Sequence, residues 1–167
     1  MVINGGFNNN CAGWTLDQTD GFPCSSIEGN PDYALILNNS PGPVPQASQT
    51  IAGLQIGQLY QITIDAKSHY NCCDFGSPGA GVGIDGQQFD FVILNSQPWT
   101  TYTFDFTYSG TNNLLVISAQ RNGSDADGEF DNVDIIPLGE GSAVPEPATL
   151  GILGAALAGL GLIRRRR

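Results

Sequence analysis

The chain is 167 residues long, enough for one domain with a sizeable core, and its formal net charge is −10. Residues 1–143 hold 15 of the 16 acidic residues and two of the six basic ones, so this part alone has a charge of −13. A surface this acidic repels nucleic acid and anionic lipid, and we expect no nucleic-acid partner. Glycine and proline make up 32 of the 167 residues, less than is typical of low-complexity chains.

The chain begins with Val2-Ile3-Asn4-Gly5-Gly6-Phe7, which we interpret as the opening strand of a mature domain. The first residues show neither the basic nor the apolar region of a secretory signal peptide. The chain ends in an apolar run followed by four arginines, an order that implies export of the domain. We therefore expect a signal peptide upstream of the sequence printed here.

Alternating apolar and polar residues then predict a series of β-strands. The alternation is clearest at residues 101–108, where Tyr102, Phe104 and Phe106 are interleaved with threonine and aspartate, and it recurs at residues 59–66. Turn signals such as Pro41-Gly42-Pro43, Asp85-Gly86 and Ser109-Gly110 separate the strands. The predicted fold is all-β: an antiparallel β-sandwich, or jelly roll, over residues 1–138. Further strands are predicted at residues 14–16, 33–37, 47–51, 81–84, 88–94, 114–119 and 130–136.

Four cysteines lie in polar, loop-like sequence, and an even number in an exported protein favours disulfides. We favour a bond between Cys11 and Cys24, and we leave the pairing of Cys72 and Cys73 open. The alternative is a metal site formed by His69 with Cys72 and Cys73, although the spacing lacks a C-x-x-C pair.

Acidic residues alternate at Asp125, Asp127, Glu129 and Asp131, which would place four carboxylates on one side of a strand. Like charges this close require a cation or a flexible loop, and we interpret the segment as a solvated hairpin. The chain has one histidine, no G-x-S-x-G motif and no phosphate-binding loop. We therefore expect no catalysis.

Four aromatic residues are candidates for stacking on sugar rings: Trp14, Trp99, Tyr33 and Tyr70. The two tryptophans come just before or within predicted strands, so we expect them to pack in the core or at its rim. Tyr70 lies in a polar loop beside the cysteine pair. It is the residue we predict to be exposed and to bind a ligand.

The C-terminal segment consists of Val144, Pro145, Glu146 and Pro147, an uncharged apolar run at 148–163, and four arginines at 164–167. The 16-residue run is at the lower limit for a transmembrane helix. The arginines favour a cytoplasmic C-terminus, which places the acidic domain outside. The prolines keep the motif extended at the outer membrane surface. We predict a linker at 139–147, a transmembrane helix at 148–163 and a basic cytoplasmic tail at 164–167.

This order of motif, span and basic terminus resembles the PEP-CTERM tail of exported bacterial proteins. The resemblance implies that a membrane peptidase, an exosortase, is a partner and cleaves near Pro145-Glu146-Pro147. It also implies a transient stay in the inner membrane, followed by location at the cell surface or outside the cell. The alternative is a permanent tail anchor.

The domain resembles jelly-roll proteins of the galactose-binding-like and carbohydrate-binding-module families in three places. These are Asn4-Gly5-Gly6-Phe7 followed by Gly13-Trp14, Ser48-Gln49-Thr50-Ile51, and Phe130-Asp131-Asn132-Val133. The resemblance implies a non-enzymatic protein that binds carbohydrate or an exopolysaccharide matrix. The alternatives are a structural envelope protein without a ligand and a glycan-active enzyme or its accessory module.

The same resemblance implies a structural calcium ion, held by a residue just after the opening Gly-Phe and by an aspartate of the closing motif. These positions are Asn8 and Asp131, and Asp32 could add an oxygen. Asn8 stands where the family has a carboxylate. We therefore expect a weak calcium site. The alternative is that Asp131 is a structural residue whose hydrogen bonds hold the two ends of the domain together.

Overall fold

The computed structural model of the protein describes residues 1–17, 24–26, 29–38, 43–68, 79–93, 98–120 and 127–139. Within these residues the chain forms one short helical turn, α1, and ten β-strands in two antiparallel sheets, which confirms the predicted all-β sandwich. In chain order the elements are α1 (Asn8–Cys11), β1 (Thr15–Asp17), β2 (Cys24–Ser25), β3 (Ala34–Asn38), β4 (Gln46–Thr50), β5 (Leu59–Lys67), β6 (Gly79–Ile84), β7 (Gln87–Val92), β8 (Thr100–Thr107), β9 (Leu114–Gln120) and β10 (Asp127–Pro137).

The two sheets have five strands each. The front sheet has the spatial order β1-β4-β9-β6-β7, and the back sheet has the order β2-β3-β10-β5-β8. Because the chain crosses repeatedly from one sheet to the other, strands that are neighbours in a sheet are mostly distant in sequence. Residues far apart in the chain are thereby brought onto the same face.

The core lies between the sheets and consists of the alternate residues of each strand. In β5 the inward residues Ile62 and Ile64 are fully buried, as the period-two pattern predicts. Aromatic rings bridge the sheets: the centroid of Phe91 on β7 lies 4.4 Å from that of Tyr102 on β8, and Phe89 lies 5.3 Å from Phe104. The outer faces of the two sheets do not take part in this core.

The predicted opening strand at residues 2–7 is wrong. Asn4 and Phe7 have φ values of 55° and 51°, and Asn9 and Asn10 in α1 have 53° and 56°, so the segment turns in a left-handed sense. Asparagine tolerates this conformation better than other non-glycine residues. The Val133 N–H donates to the Gly5 carbonyl at 3.0 Å, so the turn packs against β10 instead of extending a sheet.

Gly5 is required at this contact. A Cβ atom added there would lie 1.9 Å from the Val133 carbonyl oxygen, which belongs to the backbone and cannot rotate away. The pairing of β10 with β5 shifts register between Asp131 and Asp134, so Val133 lies at an irregularity of the strand. The N-terminal turn is fitted to this irregularity.

The structure confirms the disulfide between Cys11 and Cys24, whose Cα atoms lie 5.9 Å apart. It joins α1 to β2, a two-residue strand for which the sequence carried no signal. Cys72, Cys73 and His69 lie outside the described residues.

Strand directions define two ends of the sandwich. At the short-turn end lie the connections 51–58, 85–86 and 108–113, together with the end of β10. Asp85 and Gly86 have φ values of 56° and 76°, which is the two-residue hairpin turn that the Asp-Gly pair predicts. The connections from β3 to β4, β5 to β6, β7 to β8 and β9 to β10 begin and end at the opposite end, the long-loop end.

Asp85 joins two connections of the short-turn end, its own turn at 85–86 and residues 108–113. Its carboxylate accepts hydrogen bonds from the backbone N–H groups of Ser109, Thr111 and Asn112. Burial opposes ionisation of this group, but the hydrogen bonds from residues 109, 112 and 111 outweigh burial and hold the pKa of Asp85 below its usual value. The carboxylate therefore satisfies backbone N–H groups that lie beyond the end of β8 and have no strand partner there.

Candidate functional site

The outer face of the front sheet contains a strip without side chains. Alternation places Gly79, Gly81 and Gly83 on the outside of β6, because Ala80, Val82 and Ile84 face the core. Gly81 and Gly83 are themselves buried by the side chains around them. We call the three glycines the glycine furrow. Because these glycines have no side chains of their own, the Gln88 side chain lies over Gly81 and Gly83, and a ligand at this strip would meet its amide group.

Polar side chains on both neighbouring strands border the glycine furrow. Gly81 is paired with Asp90 of β7 on one side and with Ser118 of β9 on the other. Gln88 of β7 reaches across the strip, and its Nε2 donates to Asp90 Oδ1 at 3.1 Å. A Cβ atom added to Gly81 would lie 2.2 Å from that Nε2 and 3.0 Å from that Oδ1. An amide, a carboxylate and a hydroxyl therefore converge on Gly81.

The polar surface continues across the front sheet beyond β9. The row that contains Ser118 extends to Gln46 on β4 and Asp17 on β1. These groups can donate hydrogen bonds to a neutral, hydroxyl-rich ligand and accept hydrogen bonds from it. The sequence analysis missed this face. The alternation of glycine in Gly79-Ala80-Gly81-Val82-Gly83 was a signal for it, but the bordering residues depend on strand order.

The structure brings two of the three predicted metal ligands together. Asp131 is 2% exposed on the outer face of β10, and its carboxylate accepts hydrogen bonds from the N–H groups of Asn30 at 2.6 Å and Asn132 at 2.7 Å. A Cβ atom at Gly6 would lie 3.5 Å from the Asn8 amide nitrogen and 3.7 Å from Asp131 Oδ1. Asn8 and Asp131 thus border the same small space.

The surroundings of Asp131 are strongly acidic. Burial raises the pKa of this carboxyl group above its usual value, and the backbone hydrogen bonds from Asn30 and Asn132 oppose the rise. The negative charges of Asp65 and Asp32 raise the pKa further. The exposed Asp32 is therefore close enough to act on Asp131 electrostatically. Such a group gains from a nearby cation.

Asp65 was not predicted as a site residue, yet it is the centre of a hydrogen-bond cluster. Its Oδ2 accepts from the side-chain amides of Asn30 at 3.1 Å and Asn132 at 2.9 Å, and its Oδ1 accepts from the Thr101 hydroxyl. The cluster joins the segment before β3 to β10 and β5. In the part of the chain that the structure describes, no three histidine, cysteine or acidic residues are arranged to hold a metal ion. A cation here would need amide and backbone oxygens as well.

The interpretation of the acidic segment as a solvated hairpin is wrong for Glu129 and Asp131. Both are buried in β10, which lies between β3 and β5 in the back sheet. Glu129 forms an ion pair of 2.7 Å with Lys67, whose ammonium lies 5.0 Å from the centre of the Trp99 ring. Both carboxylates are therefore buried with partners. Asp125 lies outside the described residues.

The aromatic candidates that the structure describes differ in how deeply they are buried. Trp14 is buried, its ring centroid lies 5.1 Å from that of the tilted Phe7 ring, and its Nε1 donates to the Asn4 carbonyl, as expected for a core residue. Trp99 and Tyr33 are half-buried. Tyr70 lies outside the described residues, as do Val144, Pro145, Glu146, Pro147 and the apolar run at 148–163.

Among the residues that the structure describes, no helix has the length and apolar character needed to cross a bilayer. Comparison with known families identifies a sorting signal at the C-terminal end of the sequence. Residues 143–167 match the PEP-CTERM protein-sorting motif, so the chain carries this motif, as the sequence predicted. No curated protein matches the chain.

Several solved structures that contain carbohydrate-binding modules have a fold similar to that of this domain. The CBM22-1–GH10 modules of Clostridium thermocellum endo-1,4-β-D-xylanase 10B, complexed with xylohexaose, give a TM-score of 0.57 at 18% identity over 79% of this chain and 27% of that one. The module TmCBM61, complexed with β-1,4-galactotriose, gives 0.54 at 14% identity over 81% of this chain and 97% of that one.

Tailspike protein 4 of bacteriophage CBA120, in its enzymatically active domain, gives a TM-score of 0.58 at 15% identity over 82% of this chain. The match spans 21% of the tailspike chain, as it spans 27% of the xylanase chain. At these identities the likeness concerns the fold. The jelly-roll architecture expected from the sequence is thereby confirmed.

Proposed function

We propose that the protein is an exported, non-catalytic carbohydrate-binding protein whose glycine furrow holds a stretch of neutral polysaccharide. The observation that carries this proposal is the convergence of Gln88, Asp90 and Ser118 on a strip of β6 that has no side chains. Sugar hydroxyl groups pair well with amides and carboxylates, and an extended chain could lie along the strip on the Gln88 amide that covers Gly81 and Gly83. The strong negative charge of the domain disfavours anionic polymers.

The similar structures guide the choice of probes. Two of them are complexes with neutral oligosaccharides, xylohexaose and β-1,4-galactotriose. We therefore propose xylan and β-1,4-galactan as the first polysaccharides to test, and an exopolysaccharide of the producing cell as the natural ligand class.

Gly81→Ala and Asp90→Ala should each weaken glycan binding by about tenfold or more. The new methyl group displaces the ends of the Gln88 and Asp90 side chains, which are flexible, so the sheet should remain intact. A glycan array identifies the ligand, and isothermal titration calorimetry measures the affinities. Thr103→Ala, on the exposed outer face of β8, is the matched control and should bind like the natural sequence.

Equal binding by the natural sequence and both furrow variants would place the glycan site elsewhere. Absence of binding across the array would favour the structural envelope protein. Release of reducing ends from a bound polysaccharide would instead favour the glycan-active enzyme.

We also propose that Asn8 and Asp131, with Asp32 nearby, hold a weak calcium ion that stabilises the domain. Calcium at about ten times its dissociation constant should raise the free energy of unfolding by about 1.4 kcal/mol, or a few degrees of melting temperature. Asn8→Asp should strengthen the effect and Asn8→Ala should remove it. Asn8 is exposed, so neither change disturbs the hydrogen bonds of Asp131. Melting curves that are identical in chelator and in millimolar calcium would rule the site out.

We propose that an exosortase processes the tail in the membrane and releases the domain to the cell surface or beyond. In cells that contain the peptidase, mass spectrometry of the mature protein should find no peptide beyond the neighbourhood of Pro145. Glu146→Ala changes only the motif and should keep the tail. Recovery of an intact Arg167 terminus from the natural sequence in such cells would support the permanent anchor.

A further inference from the structure

The chain leaves the domain at a fixed point of the short-turn end. After β10 ends at Pro137, the Leu138 N–H donates to the Leu59 carbonyl at 2.9 Å, and the Gln58 side-chain amide donates to the Leu138 carbonyl at 2.7 Å. The apolar run begins nine residues after Gly139. An extended chain of that length spans at most about 30 Å. This end of the domain is therefore held close to whatever the apolar run enters.

The same end exposes several large apolar side chains, among them Met1, whose ammonium donates to the Ala52 carbonyl, and Leu114 at the start of β9. Ile56 is 76% exposed and lies beside Gly110, and Leu59 and Ile136 are 41% and 42% exposed. Leu59 and Ile136 lie on the outer face of neighbouring strands as diagonal neighbours, because Ile136 is paired with Gln61. We call Ile56, Leu59 and Ile136 the end patch.

The negative charge of the domain is distributed away from this end. The connections 51–58, 108–113 and 137–139 contain no charged side chain, although residues 1–143 have a net charge of −13, and the positive ammonium of Met1 donates to the Ala52 carbonyl at 2.8 Å. Asp85, in the remaining turn, is 5% exposed, and three N–H groups surround its carboxylate. The exposed Asp105, bonded to Gln61, lies in the same row as Ile136 and marks the limit of the surface without exposed carboxylates.

We propose that the end patch rests on the zwitterionic headgroup region of the bilayer while the tail is still attached. This inference rests on the membrane insertion of the tail in the proposed function. Apolar side chains on an end without exposed carboxylates favour the interface, whereas carboxylates elsewhere on the domain would lose hydration there. The exposed Asp105 keeps the contact shallow. The strands then stand away from the membrane, and the long-loop end faces outward.

Photocrosslinking to lipid tests this orientation in the full chain, reconstituted in phosphatidylcholine vesicles. A benzoylphenylalanine residue replaces Gln55 in the short-turn end, Gln46 towards the long-loop end, or Leu157 in the apolar run. Both glutamines are exposed, so the probe disturbs neither core nor sheet. Mass spectrometry should find lipid adducts from positions 55 and 157 and none from position 46.

Adducts from position 157 without any from position 55 would overturn the docking while leaving membrane insertion intact. Equal adducts from positions 46 and 55 would overturn the orientation. Absence of adducts from position 157 would overturn insertion and, with it, the docking. The triple variant Ile56→Ser, Leu59→Thr, Ile136→Thr should lower the yield at position 55 at least about fivefold and leave position 157 unchanged. An unchanged yield at position 55 would contradict the end patch as the contact.

Discussion

Lys67→Met should lower the free energy of unfolding by about 3 to 5 kcal/mol. The change leaves the Glu129 carboxylate, which is fully buried, without the ammonium that lies 2.7 Å from it. Loss of the contact between the ammonium and the Trp99 ring accounts for a smaller part, about 0.5 to 1 kcal/mol. Urea unfolding followed by tryptophan fluorescence measures the difference.

The double variant Lys67→Met, Glu129→Leu is the matched control. It removes both charges, and an apolar pair of similar volume is often as stable as the ion pair that it replaces. We therefore expect the double variant to recover most of the lost stability. If the single and double variants were equally unstable, the cost would come from lost packing at position 67 and not from an uncompensated charge.

Removal of the Cys11–Cys24 disulfide is expected to cost about 3 kcal/mol. The bond closes a loop with a sequence separation of 13, and its loss frees that loop mainly in the unfolded chain. The double variant Cys11→Ala, Cys24→Ala is preferable to a reducing agent, because reduction acts on all four cysteines. Chemical denaturation compares the two proteins, and peptide mapping without reductant verifies the bond in the natural sequence.

The single variant Cys24→Ala provides the control for this experiment. It breaks the same bond but retains the buried Cys11 side chain, so any further loss in the double variant measures packing at position 11. A double variant as stable as the natural sequence would contradict a stabilising role for the bond.

Local patterns were sufficient to predict most strands and the tail. In β8, Tyr102, Phe104 and Phe106 alternate with polar residues over a whole strand, and the Asp85-Gly86 pair identifies its hairpin by turn chemistry alone. The sorting motif depends on three parts in immediate succession, so its order could be read directly from the sequence. These features need no knowledge of distant contacts.

The errors occurred where distant contacts decide the structure. The pattern of residues 2–7 resembles a strand, but the turn is selected by its fit to Val133, more than a hundred residues away. Glu129 was expected in solvent because its partner, Lys67, comes from another strand. Prediction of the glycine furrow would have required the strand order β9-β6-β7, which the sequence does not show.

The lowered pKa of Asp85 determines how the short-turn end responds to acid. A carboxyl group whose pKa is lower in the folded than in the unfolded chain stabilises the fold at every pH above its unfolded value, about 3.9. This stabilisation is lost only as the pH falls through the lower, folded value. Fermentation or mild acidification around the cell leaves the carboxylate ionised. The hydrogen bonds that join the 85–86 turn to the connection 108–113 are therefore independent of pH across neutral and weakly acidic surroundings.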